Sequence, residues 1–413
     1  MGIEVLFEPH RIGKLVIRNR FVRASTSETM CHPDGSVSED YIGLYRTLAR
    51  GGAGLILTGH IFVHPRGRYQ ARQAGIHDDA MIPGFRRLTK EVHEDGGVIF
   101  AELGHAGSQC RVESILPLAP SPIKNFISNR MPQEATEADI QQAIKCFGRG
   151  ALRAKEAGFD GVHVHAGHGY LISEFSSPFS NERTDYWGGD ANRRSRFVLA
   201  VYREIRAAVG PDFPVTIKLG MADSMPGGLE IPESVERALA LAEAGVDAIE
   251  VSVGIMHVAT NASIGRFVGV TPRRAMEDWL IHRAIYPASR EAYFLPGAEA
   301  LRARMRGTPM MLVGGIRTTQ MMEKLVGEGI VDFVSMARPF IREPDFPNQV
   351  KAGRRGMVDC VSCNICSAHE GIDPVQCWRT DKFKLFEHLM YRIKTRLVSA
   401  TVRSNSAEAH KAR

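Results

Sequence analysis

Eight short apolar segments, each reached through a helical stretch or a glycine turn, predict an α/β fold: a (β/α)8 TIM barrel with a short cysteine-containing C-terminal extension. Two further observations favour it. The segments are short and apolar enough to be buried on both faces, as in a parallel sheet. No Gly-x-Gly-x-x-Gly run follows the first of them, which weighs against the alternative of a doubly wound open sheet. A chain of 413 residues, 44% apolar, suffices for one large core with an appendage. The expected division is a barrel over residues 1–354 and an extension over 355–413.

The first strand is expected at residues 21–24. Tyr41, Leu44, Tyr45 and Leu48 fall at i, i+3, i+4 and i+7, an apolar stripe along a helix that Gly51 and Gly52 end, and residues 54–58 follow as the second strand. The third is 98–103. Thr136-Glu-Ala-Asp139 is a capping signature for a helix bearing Ile140, Ala143, Phe147 and Ala151, which stops at Gly158 before the fourth strand, 161–165. Residues 215–220 form the fifth. A helix over 232–244 leads through Gly245 to the sixth, 248–253. The connection from there to Pro309 is too long for a plain turn and is expected to hold extra helix over the barrel mouth, with Arg266, Arg273, Trp279 and Tyr286 suited to a lid. Residues 310–313 are the seventh strand; a helix over 321–326 and the glycines 327 and 329 lead to the eighth, 333–336. Beyond Pro347 this grammar stops. A cysteine-rich segment, a basic stretch from Asp381 with helix-spaced apolar residues suited to docking, and a polar terminus expected to be disordered complete the chain.

The net charge of +6 is mild and its Lys and Arg are scattered, which excludes a nucleic-acid footprint. No apolar run is long enough for a membrane span, and the N-terminal residues lack a signal peptide's basic start, so a cytoplasmic protein is expected. Seven cysteines in a reducing compartment then point to metal rather than disulfides. Four of them form Cys360-x2-Cys363-x2-Cys366-x10-Cys377, thiolates able to complete an iron–sulfur cluster or a zinc site.

The densest chemistry lies between Gly158 and Gly189. In Val162-His163-Val164-His165 the period of two puts both histidines on one face, and one of them can be plain core. The strand then breaks into a glycine-punctuated loop carrying His165, His168 and Tyr170 within six positions. Loops offer few packing reasons for three protic side chains, and the end of a barrel strand is where such folds keep catalytic groups.

The run Val164-His165-Ala-Gly-His168-Gly-Tyr170-Leu, followed by Phe175-Ser-Ser-Pro178-Phe-Ser-Asn181-Glu-Arg183-Thr-Asp185-Tyr-Trp-Gly188-Gly189, resembles the signature of the old yellow enzyme family of FMN-dependent oxidoreductases. It is most similar to the bacterial branch that includes 2,4-dienoyl-CoA reductase and trimethylamine dehydrogenase, and similar segments run from about Leu6 to Pro347. The resemblance implies ping-pong reduction of an enone or enoyl substrate by NAD(P)H through FMN. His165 and His168 would hold the substrate carbonyl oxygen and Tyr170 would protonate the α carbon. Ala24, Ser25, Thr26 and Ser27 would lie under the flavin, Ser27 at O4, with Gly59 beside them. Lys218 would stand by flavin N1, and Gly314, Gly315, Ala337 and Arg338 would hold the phosphate.

Two departures from the family pattern carry expectations. Glu102 stands where Gln is usual, so it has a raised pKa, pairs with Lys218 or weakens FMN binding. His60, where a small residue is usual, is expected to reach the site. By the same resemblance Cys360, Cys363, Cys366 and Cys377 would hold a [4Fe–4S] cluster, with zinc or unligated thiols the alternatives because two spacings are one residue shorter than in that branch. The branch's FAD and NAD domains have no counterpart in the chain, so a separate electron-transfer partner is expected; self-association stays open. The competing functions are amine dehydrogenation with electrons leaving through the cluster, a non-catalytic flavin electron carrier, and a flavin-free barrel.

Overall fold

A computed structural model describes residues 2–256, 291–362 and 365–390. Arg266, Arg273, Trp279, Tyr286, Cys363 and the terminus beyond Met390 lie outside the described residues. Eight strands close a parallel ring: β1 (Phe21–Arg23), β2 (Leu55–Leu57), β3 (Ile99–Gly104), β4 (Gly161–Ala166), β5 (Val215–Gly220), β6 (Ala248–Ser252), β7 (Met310–Val313) and β8 (Phe333–Met336). Each pairs in parallel with the next and β8 pairs with β1, so the barrel has no free edge. The strands fall where hydrophobicity put them, with ends shifted by a residue or two.

Alternation along the strands separates two interiors. Outward residues such as Phe21, Ile56, Val162, Val164, Ile217 and Ile249 pack under helices α1 (Glu39–Arg50), α2 (Ile82–Glu94), α3 (Glu137–Glu156), α4 (Ala191–Val209), α5 (Ile231–Glu243), α6 (Leu295–Arg304) and α7 (Thr319–Gly327). Inward residues near the strand starts form a dry layer of Val22, Leu55, Leu57, Phe100, Ala248, Met311 and Phe333. An N-terminal hairpin, His10–Ile12 paired with Leu15–Ile17, plugs that end with the fully buried Ile12 and Ile17. Further along the same faces the inward residues turn polar: Glu102, His163, Lys218, Glu250 and Ser335, all buried. The apolar layer closes the bottom of the barrel, and chemistry can only open at the top.

Helix α3 shows how local sequence anchors this frame. The Thr136 Oγ1 accepts from the Asp139 N–H at 3.2 Å and the Asp139 carboxylate accepts from the Thr136 N–H at 3.0 Å, a complete capping box. Thr136→Ala is expected to lower the unfolding free energy by about 1 kcal/mol, read as a lower urea midpoint with an unchanged slope.

After β8 the chain forms two short helices, Arg338–Arg342 and Phe346–Lys351, and folds back across the strand ends. The Gly371 N–H donates to Thr29 Oγ1 at 3.0 Å and the Val375 N–H to the Glu28 carbonyl at 2.8 Å. Residues 382–390 are helical, with Leu385 packed on Ile365 and Trp378 and with Phe383 and Phe386 exposed. No described helix is long and apolar enough to cross a membrane.

Candidate active site

A cavity of about 470 Å³ opens at the C-terminal ends of the strands, beneath the returning extension. Its floor is a charge cluster assembled from five strands. Lys218 on β5 donates to Glu102 on β3 at 2.8 Å and lies 3.2 Å from Glu250 on β6. His163 on β4 meets Glu250 at 3.3 Å and Thr216 Oγ1 at 2.7 Å, and Ser335 on β8 donates to the other Glu250 oxygen. Desolvating an ammonium costs several kcal/mol. One carboxylate in contact returns about 4 kcal/mol at an effective dielectric near 20, so one partner roughly breaks even and two exceed the cost. Burial accordingly opposes the Lys218 charge, yet Glu102 and Glu250 hold its pKa above the ordinary lysine value. Burial likewise opposes the Glu250 charge, but Lys218, His163 and Ser335 hold that carboxyl below its usual range. Glu102, His163 and Glu250 also converge as metal-type ligands among the described residues; the Lys218 ammonium already supplies the cation there.

Glu102 thus pairs with Lys218, one of the outcomes its sequence position left open. Its second oxygen, Oε1, is buried at the cavity wall without a hydrogen-bond partner among the described residues, 3.7 Å from His165 Nε2. Such an acceptor is costly unless a ligand N–H reaches it. His60 Nε2 is orphaned in the same way and its ring lies on Tyr170, at 5.0 Å between centroids.

His165, His168 and Tyr170 share one wall of the cavity. The His165 ring sits 5.0 Å from His168 and 4.6 Å from Tyr170, edge to face in both cases. His168 adopts a left-handed backbone, φ 59°, held from three sides: its N–H donates to the Val253 carbonyl at 3.0 Å, its carbonyl accepts from Gln109 at 2.6 Å and its Nε2 meets Ser252 Oγ at 2.8 Å. A non-glycine residue in that conformation stores strain, and the surrounding bonds aim the ring into the cavity. Burial lowers the pKa of all three histidines, with Lys218 adding to it: His168 and His60 to about 4, and His165 well below its ordinary value. Burial, with Tyr69 and Glu370 nearby, raises Tyr170 well above 10. At neutral pH the wall offers uncharged imidazoles and a phenol that keeps its proton.

The sign of the resulting pH dependence follows from linkage. Unfolded His60 takes up a proton near pH 6.5 and folded His60 near 4, so between these values the unfolded state binds more protons and the fold loses stability as pH falls. His60→Gln removes that contribution. The difference in unfolding free energy between wild type and variant should therefore be flat above pH 6.5 and move in the variant's favour between about 6.5 and 4, as urea titrations across that range would show.

Ala24, Ser25, Thr26 and Ser27, which follow β1, and Ala337 and Arg338, which follow β8, also line the cavity. The 24–27 segment is fixed from behind by a buried cluster in which Arg23 donates to Glu28 at 3.0 Å and Tyr45 to the same oxygen at 2.5 Å. Gly59, Gly314 and Gly315 do not line the cavity. The Gly59 amide donates to Glu28 at 2.8 Å, and a Cβ there would meet the Glu28 carboxylate at 1.9 Å, so glycine lets the backing cluster close. Gly314 and Gly315, at φ 118° and 74°, carry the side chains of Phe294 and Tyr293 where a Cβ would stand.

Sequence reading missed Tyr69, Gln109, Arg111, Ser252 and Glu370 at this cavity. For Ser252 and Glu250 a signal existed: both share the inward parity of β6. The others come from loops and from the extension, where no period exists to read.

Cys360, Cys366 and Cys377 line a second cavity of about 150 Å³. Cys366, Arg338 and Ile341 border both cavities, so the two are neighbours.

The sequence matches the model of the NADH:flavin oxidoreductase / NADH oxidase family over residues 5–356. It is 36% identical to the NADH oxidase of Thermoanaerobacter brockii over 87% of this chain and 53% of that protein, so the chain spans about half that relative's length. It is 34% identical to the 4,4'-dithiodibutanoate disulfide reductase of Rhodococcus erythropolis over 87% of this chain and 92% of the relative. Among solved structures it superposes on a 2-naphthoyl-CoA reductase with TM-score 0.83 at 26% identity, covering 93% of this chain and 58% of that one.

Proposed function

The chain belongs to the NADH:flavin oxidoreductase / NADH oxidase family, and on that premise we propose that it is an FMN-dependent reductase of α,β-unsaturated carbonyl compounds. The observation that carries this is the wall of neutral His165 and His168 beside a protonated Tyr170, facing a cavity whose other groups suit FMN. The orphaned Glu102 Oε1 is an acceptor for a ligand N–H and Lys218 a donor for a carbonyl, as the polar edge of an isoalloxazine requires. Ser27 lines the same cavity, and Ala337 and Arg338 would receive the phosphate beside the Gly314-Gly315 turn. FMN bound there would accept hydride from NAD(P)H and pass it to the substrate's β carbon.

His165 and His168 would then donate N–H hydrogen bonds to the substrate carbonyl oxygen, where negative charge grows as hydride arrives. Being uncharged, they polarise the oxygen without surrendering a proton to it. Tyr170, its phenol proton retained, would deliver that proton to the α carbon as general acid. Closure of the cavity by the extension would keep water from the reacting carbons.

On this reading residues 1–354 are the FMN-binding barrel and 355–413 an extension in which Cys360, Cys363, Cys366 and Cys377 hold a [4Fe–4S] cluster in a cytoplasmic protein. The shared border of the two cavities at Cys366 supports that placement and would let single electrons pass between the sites. The test is an absorption spectrum of protein purified without air, with iron and sulfide assayed on the same sample. Flavin bands that bleach with NAD(P)H and return with an enone, together with about four irons per chain, are expected. Zinc in place of iron would remove the relay, and a protein that stays colourless after incubation with FMN would overturn the proposal.

A further inference from the structure

We propose that the substrate is an unsaturated carbonyl compound bearing a second, anionic group remote from its double bond, a carboxylate or phosphate, and that Arg111 receives that group. The inference rests on the reductase reading above and deepens it. Among the described residues, three cationic side chains border the large cavity: Lys218, Arg338 and Arg111. Lys218 already carries two carboxylates, and Arg338 is assigned to the FMN phosphate. Arg111 follows the short turn Gly107–Gln109, and its guanidinium has no hydrogen bond and no ion pair among the described residues. It is not adrift, however: it lies over the Tyr69 ring at 4.7 Å, and its backbone N–H donates to the Tyr69 carbonyl at 2.8 Å. Stacking on an aromatic face holds a guanidinium by its plane and leaves the edge N–H groups free to donate, a fork suited to carboxylate or phosphate.

The route from this cation to the chemistry is short and aromatic. Tyr69 lies 5.6 Å from Tyr170 and 5.5 Å from His60, and Tyr170 lies 4.6 Å from His165. A molecule whose carbonyl rests on His165 and His168 and whose body passes along Tyr69 ends at Arg111, with Phe126 and Ile127 lining the way. Glu370, from the extension, feels the Arg111 charge without standing in an ion pair with it among the described residues. Burial pushes the Glu370 carboxyl up, against the opposing pulls of Arg111 and Ser27.

The experiment compares 4-carboxycinnamaldehyde with its methyl ester, two enals alike except for the remote charge, as substrates of the FMN-loaded full chain. Wild type should favour the acid over the ester in kcat/KM by about 10- to 100-fold, the range of a charge-assisted hydrogen bond, and the preference should shrink as salt rises. Arg111→Gln should bring the ratio near unity, and Arg111→Lys should keep part of it. Equal ratios in wild type and Arg111→Gln would overturn the assignment. So would a matching loss in the rate of flavin bleaching by NAD(P)H, which would give Arg111 to the dinucleotide phosphates. If wild type reduces neither aldehyde, ene-reduction itself falls, an outcome distinct from an enal reductase indifferent to the charge.

Discussion

Tyr170→Phe is expected to lower turnover of an α,β-unsaturated ketone by about 10²- to 10⁴-fold, the span of a positioned general acid. The variant keeps the ring that packs on His165 and His60, so the cavity wall should stand. What disappears is the proton, which the buried phenol of the wild type holds far above neutral pH. Stopped-flow measurements separate the two half-reactions: bleaching by NAD(P)H should stay within a few-fold of wild type, while reoxidation by the enone should carry the loss. Loss in both halves would place Tyr170 in binding FMN or dinucleotide; loss in neither would remove it from the chemistry.

The largest structural effect is expected from Lys218→Met. It leaves Glu102 and Glu250 facing each other in the barrel interior without their cation, and uncompensated burial of this kind costs about 3–5 kcal/mol. Urea unfolding should show that loss as a lower midpoint. Adding Glu102→Gln in the same chain should return a substantial part of it, because the second substitution removes a charge that no longer has a partner. An additive double variant would mean that the two side chains do not act as a pair. Glu102→Gln alone leaves Lys218 bonded to Glu250 and takes one negative charge from the cavity wall, so the bound flavin should become easier to reduce, readable as an upward shift of its midpoint potential.

What could be read from the chain by itself was everything carried by local period and local caps. Strands β1 to β8 stand out because each buries both faces, so apolar runs mark them without knowledge of their neighbours. The α3 capping box is legible because its partners lie three residues apart. The trio His165, His168 and Tyr170 is legible because the end of β4 and the loop directly after it carry it within six positions. Which of the outcomes open to Glu102 holds was not, since its partner Lys218 is 116 positions away and meets it only through the register that ring closure imposes on β3, β4 and β5. Arg111 and Glu370 reach the same cavity from a loop and from the returning extension, where no repeat predicts direction. Hydrophobic alternation states which way a strand residue faces; only the closed barrel decides what it faces, and here that set the charge of the cavity floor.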